Sequence, residues 1–363
     1  MSTNSVETLL TSKVGEEDFT DSALGVVTDE IVNGVDEYIT TPISFSDVMA
    51  AIQRIRPYLS MTALRNYPSL DQEVANEIKV FVKHENHNPT NSFKARNGLA
   101  VMTALSQEER RRGVVTPTRG NHGQGVAWAG ALLGVPVTIC VPVGNNPEKN
   151  EAMRGFGATV IESGRDYDEA IEVAKELAHT RDLYLIHTAN DPRVLAGAGT
   201  IVWEMLYQLP EQLDAIVVAI GGGSMAVGAL TVIQALRPNV AVYGVQAAGA
   251  CAMYESWRSG HPVTKTCADT FADGLATRGI YQMTYGPLRA GLTDFITVSE
   301  AEIAYALRLL LRTTHNLVEG AGAAGLAGLL ALREQLAGKR VAIILSGANI
   351  DTTTLHRVIN NQI

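Results

Sequence analysis

Cysteine is scarce. Three residues, Cys140, Cys251 and Cys267, stand far apart in a chain of 363. An odd, dispersed set argues against a disulfide framework or a cysteine-bound zinc cluster, and for a reducing, cytoplasmic compartment. Excess positive charge is also missing. Lys and Arg number 29 against 38 Asp and Glu, for a formal charge of −9, so an extended surface for nucleic acid or anionic membrane is not expected. No apolar run is long enough to cross a bilayer. Residues Met1–Asp18 lack the charged-then-apolar pattern of a signal segment. There is no internal repeat and no low-complexity stretch.

What is present is a hydrophobic fraction of 46% and 33 glycines, the make-up of a soluble α/β chain with buried strands and tight turns. The length allows one large unit or two sub-domains sharing a cleft. Residues 1–42 are acidic and weakly periodic, and read as an N-terminal arm docked on the body or on a partner chain. A helix is predicted from a cap at Ser44 or Ser46, with Asp47 in its first turn, Val48, Ile52 and Ile55 at helical spacing, and Pro57 ending it. Strand and helix then alternate: strands at Ile78–Val82, Val135–Val141, Thr159–Ile161, Leu183–Ile186, Ala215–Ile220, Val240–Val245 and Val341–Leu345, with helices at Asn150–Phe156, Tyr167–Leu177, Gly197–Leu209 and Glu300–Thr313. That rhythm predicts parallel sheets with right-handed crossovers.

Three stretches follow strands and carry candidate chemistry. The first is Pro89-Thr90-Asn91-Ser92-Phe93-Lys94, turn residues leading to a helix with Ser92 as its expected N-cap. Lys94 would lie in the first turn, against the helix dipole. It reads either as a surface lysine or as a desolvated amine able to form an imine with a carbonyl cofactor. The second is Gly120-Asn121-His122-Gly123, either an ordinary turn or a set of backbone N–H groups at a helix start that bind an anion. The third is Gly221-Gly222-Gly223-Ser224-Met225, directly after a strand. Three glycines let the backbone wrap a tetrahedral anion, with close helix packing as the alternative reading. No Gly-Lys-Ser/Thr ending follows, and no acidic residue ends the next strand, so a nucleotide P-loop and a dinucleotide site are not supported. Ligands of open α/β sheets gather at the carboxyl ends of strands. Lys94, Asn121, Gly221–Met225 and Ser346 are therefore expected to meet in one cleft.

A lysine, a phosphate cup and an asparagine turn suggest pyridoxal 5'-phosphate. On these strings, with Asp191-Pro192, Ala272-Asp273-Gly274 and Ser346-Gly347-Ala348-Asn349, the chain resembles the fold-type II pyridoxal-phosphate enzymes of the threonine dehydratase, serine dehydratase and serine racemase group, over roughly residues 43–358. The resemblance implies a tryptophan synthase β-like α/β fold: two open, twisted, mainly parallel sheets in a large domain (43–112 and 189–363) and a small domain (113–188), with the active site between them, in a homodimer. It implies that Lys94 holds the cofactor as a Schiff base and moves the substrate's α-proton. Phe93 would pack on the pyridine ring, Asn121 would hydrogen-bond the ring hydroxyl, Gly221, Gly222, Gly223, Ser224 and Met225 would cradle the phosphate, and Ser346 would face the ring nitrogen. Ser92, Gly120 and His122 would grip the substrate carboxylate. The implied activity is dehydration and deamination of a β-hydroxy amino acid, threonine or serine. Alternatives are an acidic or bulky substrate such as 3-hydroxyaspartate or phenylserine, or β-replacement or racemisation.

Four departures bear on these readings. Arg119 stands where relatives carry a serine that acts as the second acid/base of racemases. It reads as a carboxylate clamp or as a solvated arginine. Gln246 stands where metal-activated relatives place an acidic ligand, so no metal is expected. Asn91 and Asn97 replace small residues. The resemblance includes no C-terminal effector domain, so inhibition by isoleucine is not expected. The cluster His84-Glu85-Asn86-His87 lacks the spacing of a helical zinc motif and sits ahead of the turn, so solvent or hinge contacts are expected of it.

Overall fold

A computed structural model describes residues 42–209 and 212–363; the arm expected over 1–42 lies outside the described residues but for its last position. Ten strands form two sheets among those residues: β1 (Leu64–Asn66), β2 (Lys79–Lys83), β3 (Val114–Pro117), β4 (Val137–Val141), β5 (Thr159–Glu162), β6 (Tyr184–Leu185), β7 (Ala215–Ala219), β8 (Ala241–Ala247), β9 (Asp294–Val298) and β10 (Arg340–Ile344). One sheet has the order β1-β2-β10-β7-β8-β9 and the other β5-β4-β3-β6. Every neighbouring pair is parallel except β1 with β2. Such a sheet must be covered on both faces. Its central strands answer to that: β7 (AIVVA) is buried at all five positions.

Chain direction places the strand ends. Parallel strands put their carboxyl ends on the same edge, so the segments after β2, β7 and β10 come together. The turn Ser92–Phe93 is tied to the end of β10: Ser92 bridges Gly347, and the Phe93 N–H donates to the Ser346 carbonyl at 3.0 Å.

The helix predicted from Ser44 runs from Phe45 to Ile55, with Ser44 and Asp47 forming a reciprocal capping box. Arg110, Arg111 and Arg112 end a short helix, Gln107–Arg112, where a cation is favoured by the dipole. Two expected starts fall too late. The helix placed at Asn150 begins at Pro147, because the Asn146 side chain accepts from the Glu148 and Lys149 N–H groups. The helix placed at Gly197 begins at Pro192, capped by Asp191. In both, proline occupies the first turn, where its missing N–H costs nothing.

The lysine helix, Lys94–Met102, and the helix Asn121–Leu133 meet backbone to backbone. A Cβ at Gly98 would overlap the Gly125 carbonyl, and one at Gly125 would overlap the Lys94 carbonyl. Only glycine permits this approach, which couples the start of one sheet's helix to Lys94 itself. Gly125→Ala is expected to cost about 1–3 kcal/mol of stability by overpacking, read as a lowered unfolding midpoint. A variant as stable as wild type would show that the contact yields.

Candidate active site

One cleft collects the residues that follow the strands. Phe93, Lys94, Arg119, Gly120, Asn121, His122, Gly221, Gly222, Gly223, Ser224, Met225 and Ser346 all line it. Ser92 does not. Nor is it an N-cap: Phe93 precedes the helix with helical dihedrals and no side-chain cap bond, and the helix starts at Lys94. The chain at Ser92 is instead held by the bridge to Gly347, leaving its buried hydroxyl without a partner among the described residues.

Lys94 lies with its amine 4.5 Å from the centre of the Phe93 ring. Burial lowers its pKa to about 8, and the Glu319 carboxyl only partly opposes this. An amine is a nucleophile only when unprotonated. At pH 7 a pKa of about 8 leaves roughly a tenth of the amine neutral, against a few parts in ten thousand for an ordinary lysine. His122 is buried within electrostatic reach of Lys94 and is kept neutral: desolvation first, then the Lys94 and His187 charges, hold its pKa well below the usual value.

The triple glycine joins β7 to the helix Ser224–Leu236. Gly223 has φ +89°, a left-handed conformation that side chains disfavour. A Cβ at Gly221 would overlap the Gly274 carbonyl, and one at Gly222 would press on Ala189 and Tyr281. The loop thus has no room for side chains. Its N–H groups, with those of Ser224 and Met225 at the helix start, find no acceptor among the described residues. Orphan donors at a helix N-terminus are an anion site. A reactive amine and this cup in one cleft fit a carbonyl compound that carries a phosphate.

Several lining residues lie outside the candidate strings, although Asp273 belongs to Ala272-Asp273-Gly274. Lys149 pairs with Asp273 across the cleft. Tyr167 and Tyr281 interact across the lining; burial raises both phenols, Tyr281 to about 12. Glu319 is 8% exposed; desolvation raises its pKa, opposed by Lys149 and by the Asn121 amide, which donates to it at 2.6 Å. Its only mark in the sequence is an acid directly ahead of a glycine–alanine helix. Nothing marks the tyrosines. Arg119 is exposed at the mouth, near enough to Tyr167 to act on its phenol, and has no acidic partner among the described residues.

The departures resolve in part. Asn91 has φ +51°, which asparagine tolerates better than most side chains. Asn97 is buried with both amide atoms unpartnered, and nothing in the structure explains it. Gln246 is buried, accepting from the Tyr254 N–H at 3.0 Å. His84 and His87 stack at 4.7 Å, while Glu85 is engaged by Arg96.

Comparison with known proteins agrees with this geometry. The family described as pyridoxal-phosphate dependent enzyme matches residues 55–347. The chain is similar to the L-threonine ammonia-lyase of Thermotoga maritima, 37% identical over 318 residues, which covers 88% of this chain and 78% of that one. It is similar to the L-threo-3-hydroxyaspartate ammonia-lyase of a Pseudomonas species, 34% identical, covering 85% and 96%. Among solved structures, the processed form of threonine deaminase isoform 2 from Solanum lycopersicum superposes with TM-score 0.82 at 30% identity, covering 91% of this chain and 93% of that one. The serine racemase of Dictyostelium discoideum gives 0.79 at 32%, with coverage of 85% and 99%. The two-sheet architecture is therefore that of fold-type II, and the chain belongs to the pyridoxal-phosphate dependent enzyme family.

Proposed function

We propose that this chain is an ammonia-lyase that uses pyridoxal phosphate to dehydrate and deaminate a β-hydroxy-α-amino acid, L-threonine or L-serine, giving a 2-oxo acid and ammonia. The observation that carries this reading is the meeting of the Lys94 amine and the Gly221–Met225 cup in one cleft. The relatives named L-threonine ammonia-lyase support the substrate class. When bound, the cofactor supplies a carbonyl for an amine and a ring that acidifies the α-carbon.

The chain's own residues do the rest. Lys94 would hold the cofactor through its amine and would accept the substrate's α-proton; its lowered pKa suits both tasks. The Gly221–Met225 amides would hold the phosphate, and Phe93 would pack on the ring. Asn121 would hydrogen-bond the ring oxygen, and Ser346 would face the ring nitrogen. Ser92, Gly120 and His122 would receive the α-carboxylate; Ser92 is buried and does not line the cleft here. Across the reaction the α-hydrogen and β-hydroxyl leave as water, and a water then replaces nitrogen at the α-carbon.

The domains assigned are 43–112 with 189–363, and 113–188; the four-stranded sheet formed by β3 to β6 supports the second. The inferred context is a cytoplasmic homodimer. The dispersed cysteines support the compartment, and among the described residues no helix is long and apolar enough to cross a membrane.

Arg119 favours a second reading, a substrate with a second carboxylate such as 3-hydroxyaspartate. A cation without an acidic partner at the cleft mouth is suited to bidentate capture of a distal carboxylate. Serine, threonine, 3-hydroxyaspartate and phenylserine should be compared by oxo-acid formation in wild type and Arg119→Ser. If Arg119 reads a distal carboxylate, kcat/KM for 3-hydroxyaspartate falls about 10- to 100-fold in the variant while threonine changes little. Equal losses on all four would place Arg119 at the α-carboxylate instead. D-Serine formed from L-serine would revive the racemase alternative, and cysteine formed from O-acetylserine with sulfide the β-replacement one.

A further inference from the structure

We propose that Glu319 is a positioning residue that, with Asn349, fixes the orientation of the Asn121 amide so that an N–H, and not the carbonyl, is offered to the cofactor. The inference rests on the cofactor reading above and assigns a role to a carboxylate that the sequence left without one.

An asparagine amide looks the same in either orientation, and only its partners decide which end is nitrogen. Here both ends of a short chain of amides terminate in groups that only accept. At one end is the Glu319 carboxylate, 2.6 Å from the Asn121 Nδ2. At the other is the Thr90 main-chain carbonyl, 2.9 Å from the Asn349 Nδ2. Between them the Asn349 Nδ2 also donates to the Asn121 Oδ1 at 2.7 Å. Reversing Asn121 would set oxygen against oxygen at Glu319 and nitrogen against nitrogen at Asn349, and reversing Asn349 would set oxygen against oxygen at both Thr90 and Asn121. The three bonds are therefore consistent in one sense only. Asn349 spends both its hydrogens, on Thr90 and on Asn121. Asn121 spends one on Glu319, and its second N–H remains on a residue that lines the cleft.

Glu319 gives up a local role to do this. It is the N-cap of the helix Gly320–Ala331, yet its side chain makes no cap bond. The carboxylate reaches instead to the first residue of the helix Asn121–Leu133, on the other sheet. Close packing leaves it little freedom, since a Cβ on Gly347 would touch its Oε1 at 2.6 Å. A donor so held favours an anionic oxygen on the cofactor ring, because a charged acceptor strengthens the bond.

Glu319→Gln keeps the volume and breaks the logic. Its amide is neutral, so the Asn121 N–H loses a charged acceptor, and its NH2 can turn toward that donor. Apoprotein of wild type, Glu319→Gln, Asn121→Ala and the double variant should be titrated with pyridoxal phosphate, following Kd and the pH midpoint of the visible band, with unfolding midpoints of each. The expected result is a roughly tenfold weaker Kd and a shifted band midpoint in Glu319→Gln, both effects shrinking to within about twofold when Asn121 is already alanine. Additive losses would overturn the proposal, since Glu319 would then act without Asn121. If Glu319→Gln does not fold, Asn349→Ala takes its place, with the same non-additivity expected. Wild-type protein that binds no pyridoxal phosphate would instead sink the cofactor reading itself.

Discussion

Lys94→Ala is expected to lower turnover by about 1,000-fold or more and to erase the visible absorbance of the lysine-bound cofactor. The amine is the one group in the cleft placed to do both jobs, so anchoring and proton transfer should vanish together. A folded variant is expected. The Lys94 pKa lies at about 8 in the folded chain against 10.5 for the free residue, and burial of the charged form is the cause, so the charge is a cost to folding at neutral pH. The sign follows from proton counts. Below about pH 8 folded and unfolded chains both hold the proton and stability is flat. Between about 8 and 10.5 only the unfolded chain holds it, so wild-type apoprotein gains stability as pH rises, and above that range the curve is flat again. Lys94→Ala should lack that gain and be no less stable than wild type at pH 7. Denaturant midpoints at pH 7 and 9.5 for the two apoproteins measure the difference. A variant that still shows the visible band, or keeps wild-type turnover, removes Lys94 from the chemistry.

The cleft could be foreseen because its parts announce themselves locally. A lysine after turn residues, an asparagine at a helix start and three glycines after an apolar strand each follow from short-range chemistry. The rule for strand ends then brings them together without knowledge of packing. Caps at Asn146 and Asp191 are equally local, and are easily passed over because apolar periodicity begins several residues later than the backbone helix does. Glu319 is a different case. Its partner Asn121 is 198 positions away, and its meaning lies in a tertiary amide chain that no window of sequence contains. The tyrosine pair in the cleft wall is similar, because Tyr167 and Tyr281 meet only when the helix after β5 faces the segment before β9. The buried ion network around Arg96 is hidden for a further reason. Lys83, Glu85, Arg96 and Glu204 look like ordinary surface charges in sequence, and only complete burial reveals them.

Arg96→Met is expected to destabilise the chain by about 3–5 kcal/mol, the cost of stranding buried charge. Arg96 is 1% exposed and two residues past Lys94 on the same helix. Its guanidinium bonds Glu85 through Nε (2.7 Å) and Nη2 (2.9 Å), and Glu204 through Nη1 (2.6 Å) and Nη2 (2.7 Å). Lys83 completes the set, donating to Glu204 at 2.7 Å and to the Thr62 carbonyl and Gln208 at 2.8 Å. Two cations and two anions balance in the dry interior. Burial pushes the Glu85 carboxyl up, but Arg96 outweighs it and holds the pKa below the usual range. Removing Arg96 leaves two carboxylates facing one ammonium. Arg96→Lys should recover only part of the loss, because a single ammonium cannot span two carboxylates as the planar fork does. Arg111→Met, on an exposed helix end, is the control and should change stability by no more than about 0.5 kcal/mol. The loss should also reach function: the network pins the first turns of the helix that begins at Lys94, so cofactor affinity is expected to fall in Arg96→Met at temperatures where the chain remains folded. Denaturant unfolding of the wild-type apoprotein and the three variants, with cofactor titration alongside, decides it; an Arg96→Met midpoint matching that of the Arg111 control would mean that the buried charges are not held as a unit.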